Sequence, residues 1–220
     1  MDIEDAKAAF VDWLTPEANR TLCLIANVLD LNEDLEFDNI KIDKHMFNWW
    51  EVGSTKFVFT IPPVRDYVFK IPLSKNSWSR EIEDQCKVEY ENYLRAMDLN
   101  IEEFFAATEP LDYTLHSCVG DAEIYISKNM KLVGWWDDGW EEGYDAETLE
   151  KAESISKPYE DAKEFFFESL SAIAHLIDVD VPKEKTLQLL DFMVKYDISD
   201  IHTGNYMLTD DGMVLLDYSA

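Results

Sequence analysis

The sequence predicts an α+β fold, on three observations. Strand-like and helical stretches are segregated along the chain rather than alternating: strands, one helix, more strands, then helices and a small final hairpin. At 220 residues the chain has room for one large domain or two small ones, either able to bury a sizeable core. Its apolar fraction of 47% and aromatic fraction of 13%, with seven Trp, ten Tyr and twelve Phe, exclude disorder as the main state of so acidic a polypeptide.

Taken in order, Asp2 to Leu31 reads as two short helices. Phe10, Trp13 and Leu14 recur at three- and four-residue spacing, Pro16 interrupts, and Leu22 to Leu29 resume the pattern. Asn32 to Asp43 is acidic and loop-like, with room for a short strand. Lys56 to Ile61 and Asp66 to Ile71 are β-branched and aromatic, and they flank Pro62-Pro63 as two strands. Ser79 to Leu99 reads as one helix, with Glu81, Glu83, Lys87, Glu89, Glu91 and Arg95 on polar faces and Ile82, Cys86, Tyr90, Tyr93 and Leu94 at helical spacing.

Leu111 to His116 and Ala122 to Ile126 are expected to pair across a turn at Gly120-Asp121. The acidic stretch Trp135 to Gly143 reads as a surface loop anchored by Trp135, Trp136 and Trp140, with a binding platform as the other reading. Helices are expected over Glu160 to Ile177, with Phe165-Phe166-Phe167 as a core run, and over Lys183 to Lys195, with Pro182 where helix starts tolerate it. Tyr206 to Leu208 and Met213 to Leu216 close the chain as a hairpin bent at Asp210-Asp211-Gly212.

The balance of 19 basic against 46 acidic side chains sets a net charge of −27. Long-range repulsion from phosphate backbones disfavours direct nucleic-acid binding and points to basic partners. Two classes fit: a protein that acts on basic proteins, or one whose carboxylates imitate DNA. A merely well-solvated surface is the third reading. No apolar run approaches a membrane span, so no membrane association is expected. The acidic N-terminus lacks the basic character of an export or transit signal, and Cys23, Cys86 and Cys118 are too few and scattered for a disulfide framework. A cytoplasmic protein with reduced thiols is expected. His45, His116 and His175 show no metal-ligand spacing.

The richest segment runs from Asp197 to Ser219. Asp200 is followed five residues later by Asn205, and Asp217 comes after a short apolar strand. Phosphoryl transfer needs such a set: one carboxylate to orient or deprotonate the attacking hydroxyl, and an amide with a second carboxylate to hold magnesium against the nucleotide phosphates. An Asp-rich loop ending in a hairpin is the plain alternative. Upstream, Lys70 lies inside the apolar strand Tyr67-Val68-Phe69-Lys70-Ile71, where a cation calls for an anionic partner. An edge-strand lysine that blocks aggregation is the other reading. Glu89 and Glu91 lie two apart on a helix, so only one can face inward. Gly53 and Ser54 form a small-residue turn ahead of the strands, where backbone amides can approach phosphate.

In these residues the chain resembles the protein-kinase-like superfamily. Asp200-Ile201-His202-Thr203-Gly204-Asn205 is similar to the catalytic loops of aminoglycoside, choline and bacteriophage protein kinases, and Lys70 to the lysine of the Val-Ala-Ile-Lys strand. The positional order of glycine turn, lysine strand, glutamate helix, Asp-x4-Asn and metal Asp also matches. Glu89 with Tyr93 resembles the Glu-x3-aromatic spacing of bacterial and phage kinase-like helices. One glycine stands where the family usually has two or three, and only three residues follow Asp217, so an activation segment and a helical substrate subdomain are expected to be missing. That brevity is most similar to the compact serine/threonine kinases of autographivirus-type bacteriophages.

The resemblance implies a bilobal kinase-like fold: an N-terminal helical extension over 1–48, an antiparallel N-lobe over 49–128 and a minimal, truncated helical C-lobe over 129–220. It implies ATP and Mg²⁺ as cofactors and basic host proteins, such as transcription or RNA-processing machinery, as phosphate acceptors in a host cytoplasm. The implied roles are Lys70 on the α/β-phosphates, Glu89 on Lys70, Asp200 as base, Asn205 and Asp217 on the metal, Gly53 and Ser54 over the nucleotide, and His202 as a brace of the loop. A catalytically weak acidic decoy that binds a nucleic-acid-binding host protein is the alternative. A small-molecule kinase is disfavoured by the missing substrate subdomain.

Overall fold

The computed structural model describes residues 1–31, 44–53, 55–73, 84–117, 120–130, 144–162, 170–198 and 205–218. It is an α+β structure with a five-stranded antiparallel sheet, a two-stranded hairpin and, among the described residues, six α-helices. The loop over 32–43, the Trp-rich insertion with Trp135, Trp136 and Trp140, the Phe165 to Phe167 run, and Ser54, Asp200 and His202 lie outside the described residues. No described helix is long and apolar enough to cross a membrane.

The chain divides into two compact units. The first comprises Met1–Tyr90 and Ala107–Asn129, the second Glu91–Ala106 and Met130–Ala220.

The first unit opens with helices α1 (Ile3–Trp13) and α2 (Pro16–Leu31). Asp2 caps α1, its side chain accepting from Asp5 N at 2.8 Å, and Pro16 sits at the first position of α2, where its missing N–H costs nothing. Strands β1 (Trp49–Val52), β2 (Lys56–Thr60), β3 (Tyr67–Pro72), β4 (Thr108–Ser117) and β5 (Gly120–Lys128) lie in the order β1-β2-β3-β5-β4. Strand β1 has no counterpart in the sequence reading, which placed the first strand at Lys56; it is only four residues long and alternates exposed and half-buried positions, with no fully buried one. Ser117 pairs with Gly120, so Gly120 and Asp121 belong to β5 and not to the turn expected there.

Side-chain alternation divides this sheet into two unlike faces. Phe57 and Phe59 of β2, Phe69 and Ile71 of β3, and Ile124 and Ile126 of β5 pack with Phe10 of α1 and Leu22 and Ile25 of α2. Phe10 and Phe69 approach to 4.7 Å between ring centroids. Burial of each such side chain contributes about 1.5–3 kcal/mol, which is why residues 1–31 fold with the sheet. The opposite face carries Lys56, Thr60, Lys70, Tyr125, Ser127 and Thr108, all buried, with Thr108 Oγ1 donating to Ser127 Oγ at 2.9 Å.

Helix α3 (Gln85–Leu99) begins six residues later than expected. Asp84 sets that start: its backbone carbonyl accepts from Val88 N at 3.0 Å and its carboxylate from Lys87 N at 3.0 Å, the arrangement of an N-cap. Cys86, Glu89, Asn92 and Ala96 then form one buried stripe at helical spacing, and the division between the two units falls within this helix.

In the second unit, α4 (Ala146–Ser156), α5 (Leu170–Asp178) and α6 (Lys183–Lys195) pack with Phe104, Phe105 and the hairpin β6 (Tyr206–Thr209) and β7 (Gly212–Leu215). Helix α4 went unread because only Leu149, Ala152 and Ile155 mark its inner side among charged residues; Asp145 caps it, accepting from Thr148 N at 2.7 Å. Of the helix expected over Glu160 to Ile177, Glu160 lies in a 3-10 stretch over Lys157–Ala162, and the described α-helical part is α5 from Leu170. Gly212 closes the Asp210-Asp211 turn at φ +146°, a conformation costly for any residue with a Cβ.

Candidate functional site

Two clusters assemble residues singled out in the sequence, one in each unit. In the first unit the organising contact is a buried ion cluster. Register places Val58 of β2 opposite Lys70 of β3, so Lys56, Val58 and Lys70 share the polar face. Lys70 Nζ donates to Glu89 Oε2 at 2.7 Å, and Lys56 Nζ donates to the other oxygen, Glu89 Oε1. The Glu89 side chain is fully buried and each lysine side chain is 6% exposed, so little water screens these contacts.

The two helix carboxylates part company as the 100° per residue of a helix requires. Glu91 is 43% exposed and pairs with Arg95 at 3.1 Å, one turn further on, while Glu89 points to the strands. Cys86, one turn before Glu89, is buried beside the cluster; burial pushes its thiol far up, the Glu89 charge adds to that, and the Lys56 and Lys70 charges oppose it. Tyr125, opposite Lys70 across β3 and β5, donates to Glu123 at 3.0 Å and stands 6.4 Å from Tyr90 between ring centroids. At the near end of the sheet, Gly53 N donates to Lys56 O at 2.9 Å, which closes the β1–β2 turn and hands the chain to Lys56.

In the second unit the hairpin brings Asn205 and Asp217 together. Tyr206 pairs with Leu215, so the residues flanking the hairpin face each other, and the Asn205 carbonyl accepts from Leu216 N at 2.7 Å and from Asp217 N at 3.3 Å. The residues on either side of Asp217 are pinned. Ala106 N donates to Leu215 O at 2.8 Å. Tyr218 is fully buried, its hydroxyl donating to Ala106 O at 2.6 Å and its carbonyl accepting from Asn92 Nδ2 at 3.0 Å, while its ring meets Phe105 edge-on at 5.1 Å. His175 supports the same hairpin through Nε2 and Thr209 O at 2.9 Å, and its Nδ1 faces the Tyr144 hydroxyl at 3.2 Å, so both ring nitrogens are engaged in structural contacts.

The backbone contact puts an amide-bearing and a carboxylate-bearing residue next to each other, and both side chains offer hard oxygens of the kind Mg²⁺ takes. Among the described residues no group of three or more His, Cys, Asp or Glu is placed to hold a metal by itself. Of the residues singled out from sequence, Lys70 and Glu89 are thus joined directly, Asn205 and Asp217 are joined through the backbone, and Gly53 lies in the turn before β2.

Sequence reasoning missed Lys56 and Asn92. Lys56 carries a faint signal: it is the one cation in the apolar run Lys56-Phe57-Val58-Phe59, two residues from the position facing Lys70. Asn92 carries another, as a polar residue three after Glu89 on the same helical stripe. Comparison with protein-family models, with curated proteins and with solved structures yields no match to this chain.

Proposed function

We propose that the protein is an ATP- and Mg²⁺-dependent serine/threonine protein kinase of the compact, bilobal kinase-like type. The observation that carries this reading is the buried Lys70–Glu89 pair, a strand lysine held at 2.7 Å by a helix carboxylate. With β1 in place Lys70 lies on the third strand, and the following helix supplies Glu89, the two positions from which kinases build their phosphate-orienting ion pair. The adjacency of Asn205 and Asp217 is a second support, since the same chemistry needs an amide and a carboxylate on the metal.

In this reading Lys70 binds the α- and β-phosphates, and Glu89 keeps its ammonium aimed at them. Gly53 and Ser54 would cover the nucleotide. Asn205 and Asp217 would hold Mg²⁺, whose charge would offset that of the phosphates. Asp200 accepts the proton of the acceptor serine or threonine hydroxyl as its oxygen bonds to the γ-phosphorus and the bond to the ADP oxygen breaks. The net charge of −27 favours basic acceptor proteins by long-range attraction.

The test is incubation of the purified chain with [γ-³²P]ATP, Mg²⁺ and a basic acceptor protein. Label on the acceptor or on the chain itself, abolished in Asp200→Ala and in Lys70→Met, is the expected result. ATP with Mg²⁺ at a hundredfold excess over Kd should also stabilise the folded chain by about 2.7 kcal/mol. No label and no Mg²⁺-dependent thermal shift would remove the kinase reading. The net charge and the single glycine of the turn would then favour an acidic decoy for a basic, nucleic-acid-binding protein.

A further inference from the structure

Lys56 has no role in the proposed reaction, yet it is as deeply buried as Lys70 and reaches the same carboxylate. It opens β2 on the polar face, diagonal to Lys70: Lys56 lies opposite Pro72, and Val58 opposite Lys70. From there the two ammoniums take one oxygen each of Glu89. A carboxylate gripped at a single oxygen still turns about its Cγ–Cδ bond and slides along its donor; gripped at both, it has one orientation left.

Stability alone gives no reason for an ammonium at position 56. Lys70 already supplies Glu89 with a counter-charge, and a second buried ammonium carries a large desolvation penalty of its own. The neighbouring surface, with Val58 on the same strand face and Cys86 on α3, would accept an apolar chain.

We infer that Lys56 is a positioning residue for the phosphate-binding lysine: it locks the Glu89 carboxylate so that the remaining oxygen aims the Lys70 ammonium. This inference rests on the kinase reading of Lys70 given above. Lys56 acts through Glu89 and not on the nucleotide itself, so its effect must vanish once Glu89 no longer carries a carboxylate.

A double-mutant cycle on the full chain tests this, with wild type, Lys56→Met, Glu89→Gln and the double variant compared in steady-state phosphorylation at equal folded concentration. In the wild-type background Lys56→Met should lower kcat by about 10- to 100-fold, the scale on which misplacement of a reacting group acts, with a smaller change in the KM for ATP. In the Glu89→Gln background the same change should cost nothing further. Lys56→Arg, which keeps a cationic donor, should recover part of the loss.

An equal loss in both backgrounds would overturn the inference by placing Lys56 on the substrate. An unchanged kcat in Lys56→Met would overturn it by reducing Lys56 to a packing residue. Should wild type transfer no phosphate, the kinase reading falls separately, and the same four chains are compared by urea unfolding. Non-additive midpoints then support Lys56 as the brace of Glu89, and additive midpoints refute it.

Discussion

Replacing Glu89 by Gln strikes the one acceptor shared by two buried ammoniums. The amide keeps the size of the side chain but offers one oxygen, and its NH₂ group is turned toward a lysine that previously met a carboxylate oxygen. Removing one partner from a buried ion pair costs about 3–5 kcal/mol. At roughly 2–4 °C per kcal/mol for a chain of this size, Tm should fall by roughly 6–20 °C. Lys70→Met is the informative contrast, because Lys56 remains on the carboxylate and Glu89 stays paired. One charge-assisted hydrogen bond, worth about 1.5–3 kcal/mol, is lost, and the apolar burial of Met returns part of it. The expected fall is about 1–2 kcal/mol, or roughly 2–8 °C. Thermal and urea unfolding of the two variants at pH 7, followed by far-UV circular dichroism, measures the difference. A Lys70→Met variant as destabilised as Glu89→Gln, or a Glu89→Gln shift below about 2 °C, would refute a carboxylate shared by two lysines.

Two further outcomes follow from groups outside the cluster. Burial, reinforced by the 2.5 Å hydrogen bond to Asp191, pushes the Tyr159 hydroxyl up to about 12 from an ordinary 10.0. A raised folded-state value means that the stabilisation is complete below pH 10 and is lost as pH rises from 10 to about 12. From pH 8 to pH 12 the urea midpoint of wild type should therefore fall relative to that of Tyr159→Phe, which has no phenol to ionise, and parallel midpoints across that range would contradict the assignment. The buried Cys86 thiol is held protonated by burial first and by the Glu89 charge second, whereas Cys23 is half-buried. Iodoacetamide should label Cys23 well before Cys86 in the native chain, as read by mass spectrometry over time; equal rates would show that α3 opens easily from the sheet.

Much of the local structure was legible along the chain because its causes are local. Lys183–Lys195 follows from apolar spacing and from Pro182, and the paired helices of residues 3–31 from the break at Pro16. The final hairpin follows from Asp210-Asp211-Gly212 between two apolar runs. Helix α4 and strand β1 were not legible, since the first shows three apolar positions among acids and the second is half exposed. The start of α3 was misplaced because Ile82 fits the apolar period as well as Cys86 does, and the cap at Asp84 shows itself only through its hydrogen bonds.

The candidate site divides the same way. That Lys70 needs an anionic partner, and that Glu89 and Glu91 cannot both supply it, follows from an apolar strand and from helical geometry, both written in the residue order. That Glu89 is the one turned inward, and that Lys56 joins it, depends on the strand register of β2 against β3 and on the phase of α3, quantities set by contacts between segments up to 33 residues apart. Residue order prescribes which groups must find partners, because desolvation penalises a buried charge wherever it sits; the choice of partner belongs to packing, because a separation of under 3 Å between distant residues is created only when the chain closes on itself.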